Sequence, residues 1–344
     1  SMKRTAQIYA LALVVLLAAA WNQWTAEEPV DLEGKVVMLQ GEANDVDVIR
    51  WISTDSEATI SRKKDDRGEY FWVDYTRWTE KKLPSARADA EGSDTGEATE
   101  SEPEREAKRS AFKSAQKAFD LVASLSPMAA RRSLQVTDEA KLKEIGLAEP
   151  SGSIEIVRGG RSQQLEVGGE AYGTRDYYVR HVESGKIYLV ERDLLQPLKY
   201  ARTRLPDRTL IATSKVDVVS ATVNKDSNTL QLVQINADDA EKSRWAQSDS
   251  PDVEAEQATT WMDRLLNLKG TRYANPEEAP SDLQARFSVS VKDRQSVVTK
   301  IEVLQVGADG DWYARSEHTR GLVKLIRSVA SGLADDVEGV LSGS

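Results

Sequence analysis

Hydrophobic and polar residues alternate along much of the chain, and this alternation predicts β-strands. The alternation begins with Val46, Val48, Ile49 and Trp51, and it recurs at residues 58–60 and 70–75, with the charged turn KKDDRG before the last segment. Alternation with a period of two places one face of a strand against a core. The pattern therefore predicts a three-stranded meander.

A β-hairpin with a defined register is predicted around a pair of glycines. Apolar residues alternate on both sides of Gly159-Gly160, a dipeptide typical of two-residue hairpin turns. A two-residue turn fixes which residues face each other across the hairpin. We expect Ile156 to lie opposite Gln163, and Ile154 to lie opposite Leu165.

Helical spacing of apolar residues is limited to a few segments. Residues 112–125 have apolar residues at helical spacing and predict an amphipathic helix that ends before Pro127. Residues 137–147 predict a shorter helix with Thr137 as N-cap and Gly146 in the left-handed conformation that ends many helices. A last helix is expected at residues 329–341, where Val329, Leu333, Val337 and Leu341 share a face.

The order of predicted elements occurs twice. The segment DYYVRHVESGKIYLV at residues 176–190 is similar to DWYARSEHTRGLVKL at residues 311–325. We interpret the chain as an α+β protein with two tandem repeated modules of antiparallel sheet and packed helices, at residues 46–204 and 205–344. A disordered acidic insertion is predicted at residues 85–109, which lack aromatic and branched apolar side chains.

The N-terminal residues predict a membrane segment. Lys3 and Arg4 precede an uncharged apolar stretch, and residues 5–24 are long enough for one transmembrane helix. The alternative is a cleaved signal peptide, with Ala18 and Ala20 at the cleavage site. Residues 25–45 predict a stalk or edge strand. Since basic residues stay on the cytoplasmic side, we expect a single-pass protein of the bacterial inner membrane, with the bulk of the chain periplasmic or extracytoplasmic.

Composition and motifs argue against most catalytic functions. The net charge of −10 argues against a nucleic-acid surface, and the absence of cysteine excludes thiolate metal sites and a cysteine nucleophile. Sequences typical of nucleotide hydrolysis, dinucleotide binding, zinc proteases and serine acyl transfer do not occur. We therefore expect no catalytic residues, no cofactor and no metal. The two histidines have structural interpretations, His181 as a half-buried sheet residue and His318 as a solvated turn residue.

Three residues are candidates for contact with a partner or ligand. Trp78 lies in the charged setting TRWTEKK and is expected to be exposed, where its ring could stack on a sugar or anchor a protein. Arg180 and Arg315 occupy equivalent positions in the repeated segments and could hold an anion through bidentate hydrogen bonds.

Several short motifs resemble a bacterial family of unknown function. They are residues 46–51, the turn Ile145-Gly146-Leu147 with Pro150 after it, Gly168, and the strands YYVR and IY at residues 177–180 and 187–188. The resemblance extends from about Lys35 to Leu341. The insertion at residues 85–109 and the missing Gly-Leu-x-x-Pro turn in the second module depart from the family pattern.

The resemblance implies a function in transport. Members of this family have tandem β-rich modules behind an N-terminal membrane segment, and are encoded with gliding-motility-type ABC transporter components. It implies a non-enzymatic, membrane-anchored accessory subunit that acts as a scaffold or docking surface, with an ABC-type permease and ATPase or a related auxiliary membrane protein as partner. The alternative is a cell-envelope protein that binds glycan or peptidoglycan through exposed aromatic residues.

Overall fold

The computed structural model describes residues 34–80, 105–114, 116–136, 138–239, 241–275, 277 and 279–342. The predicted anchor at residues 5–24 lies outside the described residues, as do the first part of the predicted stalk and residues 85–104 of the predicted insertion. Among the helices in the described ranges, none has the length and apolar character needed to cross a membrane.

The described residues form strands far more often than helices. In chain order, the strands of the first half are β1 (Val36–Leu39), β2 (Val46–Ser53), β3 (Ser56–Asp65), β4 (Gly68–Glu80), β5 (Arg105–Ser114), β6 (Met128–Ala130), β7 (Arg132–Leu134), β8 (Gly152–Arg158), β9 (Arg161–Glu170), β10 (Tyr177–His181) and β11 (Ile187–Val190). Those of the second half are β12 (Val218–Lys225), β13 (Asn228–Ile235), β14 (Arg244–Gln247), β15 (Arg272–Tyr273), β16 (Leu283–Asp293), β17 (Val298–Val306), β18 (Trp312–Ser316) and β19 (Leu322–Lys324).

Two large antiparallel sheets share one strand order. The nine-stranded sheet has the order β5-β4-β3-β2-β8-β9-β10-β11-β7, and the eight-stranded sheet has the order β14-β13-β12-β16-β17-β18-β19-β15. From β4 to β7 the first order corresponds strand for strand to the second, so β5 is an additional edge strand. A third, two-stranded sheet pairs β1 with β6, and β1 lies within residues 25–45, which were predicted to be a stalk or edge strand.

Six helices accompany the sheets within the described ranges. They are α1 (Gln116–Ser124), α2 (Glu139–Glu144), α3 (Arg192–Lys199), α4 (Ala201–Arg204), α5 (Glu256–Leu266) and α6 (Arg327–Ser342). Helix α1 contacts α3, α3 contacts α4, and α5 contacts α6. The predicted last helix is confirmed as α6, which buries Ala330, Leu333, Val337 and Val340.

The core follows from the alternation within the strands. In β8 every second residue is buried, including Ile154 and Ile156, while the residues between them are half-buried. Buried apolar residues of both large sheets form one cluster. Burial of apolar side chains is the dominant stabilising contribution to folding, and each fully buried branched residue contributes about 1.5–3 kcal/mol.

The predicted fold class is wrong. The described chain is mostly β with three antiparallel sheets, not an α+β protein. Part of the error lies at residues 105–114, where the acidic insertion was expected to continue to residue 109 and a helix to begin at Phe112. These residues form β5 instead, paired with β4 along its whole length. The helix begins only at Gln116.

Strand β5 escapes prediction because it is an edge strand with little apolar character. Its first five residues are exposed, and only its last three residues are buried. Its pairing depends on backbone hydrogen bonds to β4, which any residue type except proline can make. Consequently, the sequence of β5 shows no alternation. The module boundaries at residues 46–204 and 205–344 stay a prediction.

Two predictions of local geometry are confirmed. The hairpin β8–β9 has Ile156 opposite Gln163 and Ile154 opposite Leu165. Gly146 has a φ of 71° after α2, which is capped by Asp138 rather than by Thr137.

Two of the family-like motifs lie against each other. The amide of Gly169 donates a hydrogen bond of 2.8 Å to the carbonyl of Ile145. A Cβ atom at Gly168 would lie 2.5 Å from that same carbonyl oxygen, so only glycine fits there. The turn after α2 therefore packs directly against the end of β9.

Candidate functional site

Three ionisable side chains from distant parts of the chain meet between the two large sheets. Lys113 lies at the end of β5, Asp207 in the linker formed by residues 205–209, and His318 in the turn formed by residues 317–321. Lys113 Nζ is 3.0 Å from Asp207 Oδ2, and His318 Nε2 is 2.7 Å from the same oxygen. We call these three residues the junction triad.

Backbone contacts hold Asp207 in place. Its amide donates to the carbonyl of Lys113 at 2.9 Å, so the linker adds onto the end of β5. The hydroxyl of Tyr273, on the edge strand β15, donates to the carbonyl of Asp207 at 2.6 Å. The linker is therefore fixed to an edge strand of each large sheet.

Proton positions in the triad follow from the chemistry of the carboxylate. An ionised carboxylate only accepts hydrogen bonds, so His318 Nε2 carries the hydrogen that points at Asp207. Lys113 Nζ lies 2.9 Å from the same ring nitrogen. Because that nitrogen already donates to Asp207, the lysine is held chiefly by the carboxylate.

Burial and charge shift the pKa values of the triad in defined directions. Burial lowers the pKa of Lys113, whose side chain is 3% exposed, and the charge of Asp207 opposes this shift. Burial alone would raise the pKa of Asp207, but the hydrogen bond from His318 and the charge of Lys113 outweigh it and hold that pKa well below its usual range. Burial and the charge of Asp207 raise the pKa of Tyr273.

A second group of contacts joins the turn between β3 and β4 to the eight-stranded sheet. We call the nine-stranded sheet the first sheet and the eight-stranded sheet the second sheet. Arg320 donates to both carboxylate oxygens of Asp65, at 2.5 and 2.8 Å, and its guanidinium lies 4.1 Å from the ring centroid of Tyr70. Arg67 forms an ion pair of 2.9 Å with Glu317. A bidentate pair such as that of Arg320 with Asp65 is among the stronger hydrogen-bonded contacts.

Arg320 has an unusual backbone conformation. Its φ of 53° lies in the left-handed region, which costs free energy for a residue other than glycine. The bidentate pair with Asp65 and the contact with Tyr70 offset this cost. The turn at residues 317–321 is therefore shaped for contact with the first sheet.

We expect the junction to weaken in acid. Hydrogen bonds from Arg320 lower the pKa of Asp65 from 3.8 to about 2, and the pKa of Asp207 is lowered as well. A carboxyl group with a depressed folded-state pKa stabilises the fold above its ordinary pKa, and this stabilisation is lost as pH falls through the folded-state value. The midpoint temperature of thermal unfolding should therefore decrease as the pH is lowered from about 4 to about 2.

Thermal unfolding of wild type and Asp65→Asn across this pH range measures the effect. The variant lacks one of the two carboxylates, so its midpoint should depend less on pH than that of wild type. Equal pH dependence of the two proteins would contradict a contribution from Asp65.

The junction triad combines residue types that also occur in catalytic sites. A buried lysine with a lowered pKa beside a histidine is a common feature of catalytic sites. Here Lys113 is almost fully buried, and the Asp207 carboxylate that neutralises it also receives the histidine hydrogen. This arrangement is suited to a cross-link between sheets.

The three predicted contact residues lie apart from the triad. Trp78 is half-buried in β4 rather than exposed. Arg180 contacts Glu166 at 2.5 Å, and Arg315 lies 3.7 Å from Glu302. Each arginine faces its glutamate across adjacent strands at equivalent places in the two sheets. No hydrogen bond, ion pair or ring contact joins any two of the three predicted residues, all of which the structure describes.

The histidines have different outcomes. His181 is half-buried at the end of β10, as predicted, and its Nδ1 is 2.8 Å from the hydroxyl of Ser184. The prediction that His318 is solvated is wrong, because its side chain is 20% exposed and contacts Asp207. Lys113 and Asp207 are 94 positions apart, and Asp207 and His318 are 111 positions apart. Sequence analysis did not detect the triad because no short spacing connects its members.

An aromatic cleft of about 330 Å³ lies in the first half of the chain. Its aromatic lining consists of Trp51, Tyr75, Tyr177 and Tyr200. Trp51 is 3% exposed, and its Nε1 atom has no hydrogen-bond partner in the described part of the chain. The hydroxyl of Tyr177 accepts a hydrogen bond from Lys199 at 3.2 Å. The cleft thus combines aromatic faces with an unused donor.

Comparison with known proteins identifies one family. The family described as Domain of unknown function (DUF4340) matches residues 115–286, which is half of the chain. The match includes α1, the linker and every member of the family-like motif set except residues 46–51. No curated protein and no solved structure matches the chain.

Proposed function

The chain belongs to the DUF4340 family, and from this premise we propose that it is a non-enzymatic accessory subunit on the extracytoplasmic side of the bacterial inner membrane. Its role is to provide a scaffold or docking surface for an ABC-type permease and ATPase, or for a related auxiliary protein of a gliding-motility-like system. The location rests on the basic and apolar residues 3–24, and the partner class rests on the resemblance of the motifs.

The junction between the sheets is the observation that carries this proposal. A docking surface that extends over two sheets needs a fixed orientation between them. The triad, the pair of Arg320 with Asp65 and the pair of Arg67 with Glu317 each connect the two sheets. Since the Asp207 carboxylate is engaged by both Lys113 and His318, the same cluster favours a structural contact between the sheets.

Crosslinking in native membranes followed by mass spectrometry tests the proposed partner class. We expect crosslinks between this chain and a permease or its ATPase. Arg320→Gln should reduce these crosslinks, because it removes one of the contacts that fix the two sheets relative to each other. Lys324→Gln removes an ion pair within the second sheet, with Asp311, and is the matched control. A chain recovered from native membranes without any crosslinked partner would refute the docking role.

A second candidate function, glycan binding, is supported by the aromatic cleft. Aromatic faces stack on sugar rings, and the Trp51 Nε1 donor could serve a sugar hydroxyl. Tyr200 is 45% exposed at the rim and is accessible to a ligand. This function requires the same envelope location as the docking role.

Tryptophan fluorescence during titration with envelope polysaccharide tests glycan binding. We expect a change in emission that is lost in Tyr200→Ala. It should persist in Tyr172→Ala, because Tyr172 is fully exposed and lies outside the cleft. Unchanged emission together with no retention on peptidoglycan sacculi would remove this candidate.

A further inference from the structure

A cleft of about 470 Å³ lies where the edges of the two large sheets approach each other. Strand β5 is an edge of the nine-stranded sheet, and β15 is an edge of the eight-stranded sheet. Residues of both strands line the cleft, together with residues of α4 and of the linker. We call it the junction cleft.

The junction cleft is strongly basic. Its cationic lining residues are Lys108, Arg109, Arg202, Arg208 and Arg272, whereas Glu106 is the acidic residue in the lining. The whole chain has a net charge of −10. The cleft is therefore positively charged, although the chain as a whole carries a net negative charge.

Most of these cations have no carboxylate partner. Arg109 pairs with Glu277. Within the residues that the structure describes, no ion pair neutralises Lys108, Arg202, Arg208 or Arg272. The Nε atom of Arg208 is buried and lacks a hydrogen-bond partner there.

A neighbouring cleft extends the basic surface. It has a volume of about 440 Å³, shares Pro206 and Arg208 with the junction cleft, and adds Lys117 and Lys269. Its one carboxylate, Asp207, is already engaged by the junction triad. The two clefts therefore flank the linker with cations on both sides.

Phosphate matches this arrangement better than a single carboxylate. A carboxylate offers two oxygens, whereas three arginines and a lysine present many more N–H donors. A phosphate group has at least three acceptor oxygens and up to two negative charges, and arginine binds it in a bidentate manner. We propose that the junction cleft binds a phosphate-bearing ligand, either a phospholipid head group or a soluble phosphate compound.

Calorimetric titration of the purified full chain with inorganic pyrophosphate tests the proposal. Arg202 and Arg272 are both exposed, so the double variant Arg202→Gln/Arg272→Gln should fold. We expect pyrophosphate to bind wild type, and to bind this variant about tenfold more weakly or worse, because charged hydrogen bonds are lost. The matched control Lys64→Gln/Lys242→Gln removes two exposed charges elsewhere and should leave affinity unchanged within about twofold.

Two further titrations separate the sources of phosphate. Vesicles that contain an anionic phospholipid should bind wild type more strongly than the double variant if the ligand is a head group. If pyrophosphate binds but wild type and the double variant bind the vesicles equally well, the ligand is a soluble phosphate compound.

Three results would overturn the proposal. These are no pyrophosphate binding, equal weakening in the cleft variant and the control, and tighter binding of a polyglutamate peptide than of pyrophosphate. The last would assign the cleft to an acidic protein segment. Because these titrations use the isolated chain, their failure leaves the docking role to be judged by the crosslinking experiment.

Discussion

Asp207→Ala is expected to lower the free energy of unfolding by about 3–5 kcal/mol, the range for removing one partner of a buried ion pair. The variant leaves the Lys113 ammonium group buried without its carboxylate, and also removes the acceptor for His318. Charging a group in a poorly solvated interior is costly unless a partner compensates it. The loss of the partner should therefore cost far more than a surface pair would.

The pH dependence of this loss identifies its cause. Without Asp207, the pKa of Lys113 should fall further, because burial acts on it without an opposing charge. The unfolded chain then binds more protons than the folded chain, so stability rises with pH up to the ordinary pKa of lysine. The cost of Asp207→Ala should consequently be smaller in alkaline solution than at neutral pH.

Urea unfolding of three variants measures these effects. Asp207→Ala is compared with Asp311→Ala, which removes the exposed pair with Lys324 and should cost far less, because solvent screens an exposed pair. The double variant Lys113→Met/Asp207→Leu should recover most of the stability, because it removes both buried charges. If Asp207→Ala costs no more than Asp311→Ala, the junction triad does not hold the sheets together.

Local geometry was predictable where neighbouring residues determine it. The register of the β8–β9 hairpin follows from the position of Gly159-Gly160, because a two-residue turn fixes every facing pair. The conformation of Gly146 was also predictable from its neighbours, because the residue after a helix often adopts a positive φ. The recurring local patterns indicated that the order of elements along the chain repeats, but they did not give the strand order within the sheets.

The junction was not predictable because it depends on contacts between distant segments. Lys113, Asp207 and His318 have no distinctive local sequence, and they meet only when β5 lies at the edge of its sheet. That strand was interpreted as part of an insertion and a helix. Without its position, neither the triad nor the junction cleft could be placed.

Net charge was a poor guide to local charge. The net charge of −10 argued against a nucleic-acid surface, which needs clustered lysine and arginine side chains. The junction cleft draws its cations from β5, α4, the linker and β15, which lie far apart in sequence. A total over the chain contains no information about which charges converge, and only the fold determines that.

Trp261→Ala is the second variant for which we expect a large effect. Trp261 lies on α5, is 1% exposed, and packs 5.4 Å from the ring of Phe287 on β16. Its Nε1 donates a hydrogen bond of 2.9 Å to the carbonyl of Leu333 on α6. It therefore connects both helices to the second sheet. Truncation removes a large buried side chain and leaves a cavity, at a cost of about 3–5 kcal/mol.

Comparison of three tryptophan variants separates packing from hydrogen bonding at this helix pair. Trp261→Phe keeps an aromatic ring but loses the N–H donor, and should cost about 1–3 kcal/mol, less than Trp261→Ala. Trp78→Ala removes a half-buried ring from β4 and should cost less than Trp261→Ala, because partly solvated side chains lose less burial. Urea unfolding followed by circular dichroism gives all three values. Equal costs for Trp261→Ala and Trp78→Ala would show that α5 and α6 do not depend on this side chain for their attachment to the second sheet.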